Sequence, residues 1–380
     1  MTSQPVAARS WWCSPGVSWN DVVVRRILVM TKGREFSHTR PREGSETLVM
    51  RLGERPDGFA LAGRGRRPWF GRMTPRPKLP CLLRSLVLGV ALVAAQERLP
   101  AEVKVGAWQP LFQGIEFAAG SADEAEPRRQ EVRVLRVDLR ADGIELFSTP
   151  ANGDAPKETT SETATEFLER HRLQAAINAN FFSPCCSPGD KDLGGLAVSR
   201  GEIVSPAAKS GLGAKVLVVT RDLRASIRET GPDFRPDGVW TAVAGSDIVL
   251  KAGRPVPYEP TAFRTTPHPR SAAGISADGR YLLLLTIDGR QAGYSEGATL
   301  EELAMWLRRF GAQEGLNLDG GGSTALVKAA GGRAVLLNRP SGSSLGALAV
   351  PGTERAQRSN GNHFGVYARP LAEGLRPVER

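Results

Sequence analysis

Cysteine is scarce in this 380-residue chain, with four in all, and histidine is equally rare. Cys13 and Cys81 fall ahead of residue 96, and the remaining two, Cys185 and Cys186, are neighbours. That leaves no loop-closing disulfide within 96–380 and no metal-spaced set of Cys and His. Three fates stay open for the adjacent pair: a strained vicinal disulfide, bridges between chains, or two thiols. The chain also lacks an apolar run long enough to be a confident membrane span. It has no internal repeat, no linker within 131–370, and no Gly-x-Ser-x-Gly nucleophile elbow. Charge of one sign is missing where it would matter. The net charge is +10, but residues 1–72 hold 13 basic against 6 acidic residues, and 73–95 hold three basic and no acidic ones. Residues 96–380 therefore carry 34 of each sign, and bulk charge gives no case for nucleic acid as a partner.

What is present begins with an export signal. Met73-Thr-Pro-Arg-Pro-Lys78 is a short basic start, followed by the apolar Leu86–Ala95 with small residues at Val93 and Ala95. This is the layout of a secretory signal peptide over 73–95, cleaved after Ala95. No cysteine stands at the cleavage point, so a lipid anchor there is not expected. Such a signal begins a protein, so Met73 is read as the true start and 1–72 as upstream sequence without a fold. That stretch holds four of the seven tryptophans and no sustained periodicity. A long arm and a signal-anchor are the rival readings. Export places the mature chain in a secreted or periplasmic compartment.

Beyond 96–130, read as an edge strand plus loop, the pattern sharpens into one domain over 131–370, with 371–380 as a tail. Short strands are expected at 132–139, 144–148, 175–182, 193–199, 202–205, 215–220, 223–228, 239–244, 248–251, 271–276, 281–288 and 363–368. Arg200-Gly201 and Asp278-Gly279 mark hairpins. Two helices are expected, over 159–171 and from Thr299, where Thr299-Leu-Glu-Glu302 is a capping box and Gly311 a terminator. Many hairpins with two good helices predict an α+β fold: a single domain of mixed or antiparallel sheet.

The most informative segment is Asn317-Leu-Asp319-Gly320-Gly321-Gly322-Ser323-Thr324. A strand delivering a carboxylate to a bare-backbone turn would gather that carboxylate, N–H groups and hydroxyls around one small volume. A plain tight turn is the competing explanation, and its company decides against it. Asn178/Asn180, His268-Pro-Arg270, Asp288-Gly-Arg290 and Ser295-Glu296-Gly297 likewise put polar residues at the ends of apolar strands, where an unpaired polar group is costly. Arg358-Ser-Asn-Gly-Asn-His363 is a sixth such cluster.

Pro269-Arg270-Ser-Ala-Ala-Gly274, Leu285-Thr-Ile-Asp288-Gly-Arg290, Ser295-Glu-Gly297 into Thr299–Ala304, and Leu316-Asn-Leu-Asp319-Gly-Gly-Gly-Ser323 closely resemble, in order, the phosphodiester glycosidase family, as does Ile177-Asn-Ala-Asn-Phe-Phe182. That family includes the domain of the lysosomal uncovering enzyme and bacterial exopolysaccharide-associated relatives. The resemblance spans about 131–370 and implies hydrolysis of a sugar-1-phosphodiester. Such a bond breaks at an anomeric carbon, through an oxocarbenium-like state usually served by two carboxylates. Asp319 and Asp288 are the expected pair, with Glu296 in reserve. Arg270 and Arg290 suit a phosphate, because guanidinium grips its oxygens in two-pronged fashion. Gly320, Gly321, Gly322, Ser323, Ser295 and His268 are further substrate-binding candidates. Asn178 and Asn180, on one side of a strand, are candidates for sugar hydroxyls or an N-acetyl group. Each has a plainer alternative: Asp288-Gly289 as a turn, Arg270–Asp319 as a structural ion pair, His268 as a loop residue. No cofactor is certain from the sequence, and metal use stays open: Asp319, Asp288 and hydroxyls could hold a divalent cation bridging phosphate. Pro184-Cys-Cys-Ser-Pro-Gly-Asp190 has no counterpart in the family pattern and is read as a rim or lid loop. The expected function is an exported hydrolase of glycosyl phosphodiesters in a surface or exopolysaccharide-type glycan, with no stable membrane span. A non-catalytic carbohydrate-phosphate binding module and a structural envelope protein are the alternatives.

Overall fold

A computed structural model describes residues 103–123, 128–231, 233–342 and 357–372. The stretch 1–72 and the signal peptide expected at 73–95 lie outside those residues.

Successive leucines in Leu282-Leu-Leu-Leu285 show why the fold has layers. The strand Tyr281–Ile287 lies inside a nine-stranded sheet and is buried on both faces. Leu283 and Leu285 meet Leu303, Trp306 and Leu307 of the helix Leu300–Arg309, whereas Leu282 and Leu284 meet Ile177, Leu217, Phe364 and Val366 from two other sheets. A strand covered on both sides needs no polar alternation, which is why it reads as a continuous apolar run.

The nine-stranded sheet runs in the order Val103–Val105, Ile115–Ala122, Gln130–Asp138, Tyr281–Ile287, Arg270–Ser276, Ala312–Asn317, Asp247–Lys251, Arg254–Pro255, with Gln109–Phe112 paired to Ile115–Ala122. Every pairing in it is antiparallel. One five-stranded sheet follows the order Arg333–Leu336, Leu326–Ala330, Ala175–Asn178, His363–Tyr367, Glu145–Ser148. The other runs Glu202–Ser205, Ala197–Ser199, Val239–Gly245, Lys215–Thr220, Ala225–Glu229. The helix Ala164–His171 covers the outer face of the first five-stranded sheet through Ala164, Phe167 and Leu168.

The α+β expectation is overturned. Among the described residues strand makes up 45% and helix 10%, and the main sheet curls into a half-barrel, so the class is mostly β. Both expected helices exist with their capping boxes, but they span only 8 and 10 residues. They act as lids on sheet faces. The expected hairpins form at Arg200-Gly201, where both residues take positive φ, and at Asp278-Gly279. The strand expected over 175–182 ends at Asn178, and Phe182–Ser183 pairs separately with Asp190–Leu193. In the intervening loop Cys185 and Cys186 are joined to each other as a vicinal disulfide. No helix among the described residues is long and apolar enough to cross a membrane.

Candidate active site

The glycine turn carries the chain from one sheet to another. Beyond Asn317, Leu318 N–H donates to Ser271 O (2.9 Å) within the large sheet, and Asp319 N–H then donates to Ala179 O (2.9 Å) beside the five-stranded one. Gly321–Ser323 is a single 3-10 turn, after which Leu326–Ala330 pairs with Ala175–Asn178. Asp319 thus stands at the seam between two sheets, held by backbone from both.

Its carboxylate is half-buried and crowded by protein. Gly320 N–H donates to Asp319 Oδ1 (2.9 Å), and the Ser323 hydroxyl, Arg358 and Arg290 also favour the charged form. Desolvation outweighs them and pushes the carboxyl up to about 6. Arg290, itself at positive φ, extends its guanidinium over Gly321, where an added Cβ would come within 3.3 Å of both terminal nitrogens. Arg358 donates from Nη1 to Ser323 Oγ (3.3 Å), and its Nη2 would lie 2.4 Å from a Cβ on Gly322. The bare glycines therefore let two guanidiniums close onto the turn. Desolvation, then repulsion from Arg358, lowers Arg290 from its ordinary value. Gly321 N–H is spent on Pro269 O (2.8 Å), and Gly322 N–H has no acceptor among the described residues. His268 Nδ1 lies 3.3 Å from Arg290 Nη2, and burial with two neighbouring arginines lowers His268 to about 4. Asp319, Arg290, Arg358, Ser323, His268 and the glycines form one cluster.

Several expected site residues are occupied elsewhere. Asp288 is buried, with Oδ1 accepting from Asn338 Nδ2 (2.8 Å) and Oδ2 from Tyr294 OH (3.0 Å) and Arg339 N–H (2.9 Å). It ties down the segment after the turn, and burial raises its pKa despite those donors. It does not stand as a free partner to Asp319. Arg270, also buried, donates to the carbonyls of Ala298 (2.8 Å), Phe263 (2.7 Å) and Thr266 (3.2 Å), so it braces backbone. Desolvation lowers it to about 10. Ser295 Oγ donates to Asp288 O (2.6 Å), closing the same loop.

The two asparagines are fasteners. Asn178 Nδ2 donates to Asp319 O (2.6 Å), while its Oδ1 accepts from Ser271 Oγ (2.7 Å) and Ala325 N–H (3.1 Å). Asn180 donates to the carbonyls of Gly195 and Leu196 and accepts from Ala244 N–H (2.8 Å). With their amides so engaged, they fix the seam and do not reach for a sugar. Glu296 is exposed, with its backbone pinned between Arg129 and Arg290. For a cation, Asp288 has no carboxylate oxygen left without a protein donor, which separates it from Asp319 as a joint ligand. Among the described residues no three His, Cys, Asp or Glu side chains gather as a metal set.

Arg358 is the residue that sequence reasoning fails to single out. Its cluster stands out as polar, but nothing local distinguishes this arginine from its neighbours. Tyr294 and Asn338, the holders of Asp288, carry no motif at all.

A mostly β fold with a carboxylate and two arginines on a glycine turn agrees with the chain's match to the phosphodiester glycosidase family over residues 171–367. That match covers half of the chain, and the protein belongs to this family. Among solved structures it is similar to the zebrafish N-acetylglucosamine-1-phosphodiester alpha-N-acetylglucosaminidase catalytic domain auto-inhibited by its pro-peptide. The TM-score is 0.52 at 18% identity, over 73% of this chain and 91% of that one. It is also similar to a candidate exported protein of Burkholderia pseudomallei, with a TM-score of 0.50 at 14% identity, over 70% and 97% of the two chains. At such identities the likeness shows the fold. No curated protein matches the chain.

Proposed function

We propose that this protein is an exported hydrolase that cleaves the glycosidic bond of a sugar-1-phosphodiester in a surface or exopolysaccharide-type glycan. The observation that carries the reading is the Asp319 carboxyl, pushed up to about 6, within the field of Arg290 and Arg358. A phosphate monoester is a good leaving group and needs little protonation, but its charge must be held. Arg290 and Arg358 supply that hold, with Gly322 N–H as a third donor. Asp319, ionised, then serves the anomeric carbon, as nucleophile or as base for water. One carboxylate suffices because the leaving group brings its own acidity. Asp288, Arg270, Ser295, Asn178 and Asn180 are positioning residues in this scheme. Export rests on the basic and apolar layout of 73–95.

The test is to incubate the full chain with a panel of sugar-1-phosphodiesters, with and without chelator, and to measure the phosphate monoester released. Turnover is expected, with Asp319→Asn losing at least a hundredfold in kcat while still binding the diester, and Arg358→Lys losing affinity for it. If no diester is cleaved while phosphorylated glycan binds saturably, the chain is a binding module on the same fold. Amino-terminal sequencing of exported protein decides the leader; a chain retaining residues before Met73 rejects it.

A further inference from the structure

Linked to the charged cluster through the backbone lies an apolar feature that the phosphate chemistry leaves unused. Phe181 and Phe263 meet with ring centroids 6.2 Å apart and planes 64° from parallel. Phe263 is 39% exposed, one of few large apolar side chains left open among the described residues. Both rings are tied to the Asp319 seam. Phe181 follows Ala179-Asn180, and Ala179 O holds Asp319 N–H. Phe263 O accepts from Arg270, whose neighbour Pro269 accepts from Gly321 N–H.

Neither ring sits on loose chain. Phe181 O accepts from Gly194 N–H (2.6 Å), a close approach that leaves a Cβ on Gly194 only 3.2 Å from the same oxygen. Asn180 is clamped by three backbone groups. Phe263 rides on the short turn Ala262–Thr265, which the Arg264–Asp247 ion pair (2.8 Å) and an Arg264 bond to Glu259 O (3.0 Å) fasten to the sheet. The Arg270 guanidinium lies 4.9 Å from the Phe263 ring centroid. The backbone under the exposed ring is fixed and the ring itself rests against Phe181 and the Arg270 guanidinium, which lowers the freedom it has left to lose on binding.

We infer that Phe181 and Phe263 form the wall on which the C–H face of a pyranose ring of the substrate stacks, beside the arginines that hold its phosphate. The inference rests on the phosphodiester reading above and adds how the sugar is selected. A pyranose offers one apolar face and a rim of hydroxyls, and an aromatic wall next to an anion site fits a sugar joined directly to phosphate. Inorganic phosphate alone would not use it.

The experiment compares the full-length wild type with Phe263→Ala, Phe263→Leu, Phe263→Trp and Phe181→Leu. Binding of inorganic phosphate and of methyl diesters of glucose, mannose and N-acetylglucosamine 1-phosphate is measured by calorimetry, with turnover in parallel. Phe263→Leu keeps the apolar bulk, so folding is not at stake. Expected is an unchanged phosphate affinity together with sugar-diester affinity about three- to tenfold weaker in the Ala and Leu variants, restored in Phe263→Trp. Equal sugar-diester affinity in wild type and Phe263→Leu overturns the inference. So does a wild type that binds no sugar diester more tightly than phosphate. Binding without turnover rejects the hydrolase reading, and the Phe263 comparison still decides the wall.

Discussion

Asp319 carries the cost of a desolvated charge. Burial raises its carboxyl to about 6 against the ordinary carboxylate range, so above that pH the folded protein keeps a charge it would hold more easily unfolded. The penalty is full above about pH 6 and vanishes below about pH 4, where both states are protonated. Asp319→Asn is therefore expected to end turnover and to stabilise the fold by about 2 kcal/mol at pH 8, with little change at pH 4. Urea unfolding at the two pH values checks this, and an equal effect at both would reject a raised carboxyl. The same shift sets the pH profile. The ionised form is the active one in the scheme above, so kcat/KM should rise with pH as a single ionisation near 6 and then level off. A profile falling through 6 would instead make Asp319 a proton donor. At this scale the sequence shows which residues matter more readily than it shows how they act. Asp288, Arg270, Asn178 and Asn180 stand out because a polar residue ending an apolar strand needs a reason. Their partners lie as far away as Ala325 is from Asn178, and only the assembled sheets reveal that they fasten distant segments to one another.

The turn Gly320–Ser323 is the element on which the charges assemble. A Cβ on Gly322 would meet Arg358 Nη2 at 2.4 Å and Gly342 O at 2.9 Å. The first of these is the end of a flexible side chain and the second is backbone, so Gly322→Ala is expected to displace Arg358 and to push the Gly342 carbonyl aside, a shift confined to the turn and the segment facing it. KM for a phosphodiester should rise about tenfold or more, with the melting temperature within a few degrees of wild type. Steady-state kinetics beside a thermal melt separate the two. An unchanged KM would remove Arg358 from the phosphate site. Elements with local codes were legible in the sequence: the Thr299 capping box, the Arg200-Gly201 and Asp278-Gly279 turns, and the Asp-Gly-Gly-Gly turn itself; the Thr163–Glu166 box was not singled out. Sheet order was not, because pairings such as Asn178 with His363 join distant segments and no local signal specifies them. The α+β misreading has the same root. Two well-capped helices announce themselves, whereas short strands buried on both faces lose the alternation that would have declared how many there are.

The whole molecule keeps a histidine where a proton is hardest to accept. His363 opens the strand His363–Tyr367, is fully buried and stacks on Phe167 with centroids 4.8 Å apart. Neither ring nitrogen has a partner among the described residues. Desolvation, with His171 nearby, drives it down to about 3. The unfolded chain takes up this proton near pH 6.5 and the folded chain cannot, so stability is lost progressively as pH falls from about 6.5 toward 3. At pH 5 the loss from this one group is about 2 kcal/mol relative to pH 7.5. Other groups shift the opposite way: burial raises Glu158, Glu162, Asp288 and Asp319, and each of these favours the folded state in acid. Total stability therefore mixes both signs, and a pH curve of the wild type alone does not isolate the histidine. The difference between wild type and His363→Phe does, because the carboxylates are common to both. Phenylalanine keeps the stack on Phe167 and removes two unpaired nitrogens, so the variant should be at least as stable at pH 7.5. Its advantage should then widen by about 2 kcal/mol at pH 5. Urea titrations of both proteins at the two pH values measure the gap, and a gap that stays constant means His363 is protonated as easily in the folded chain as in the unfolded one.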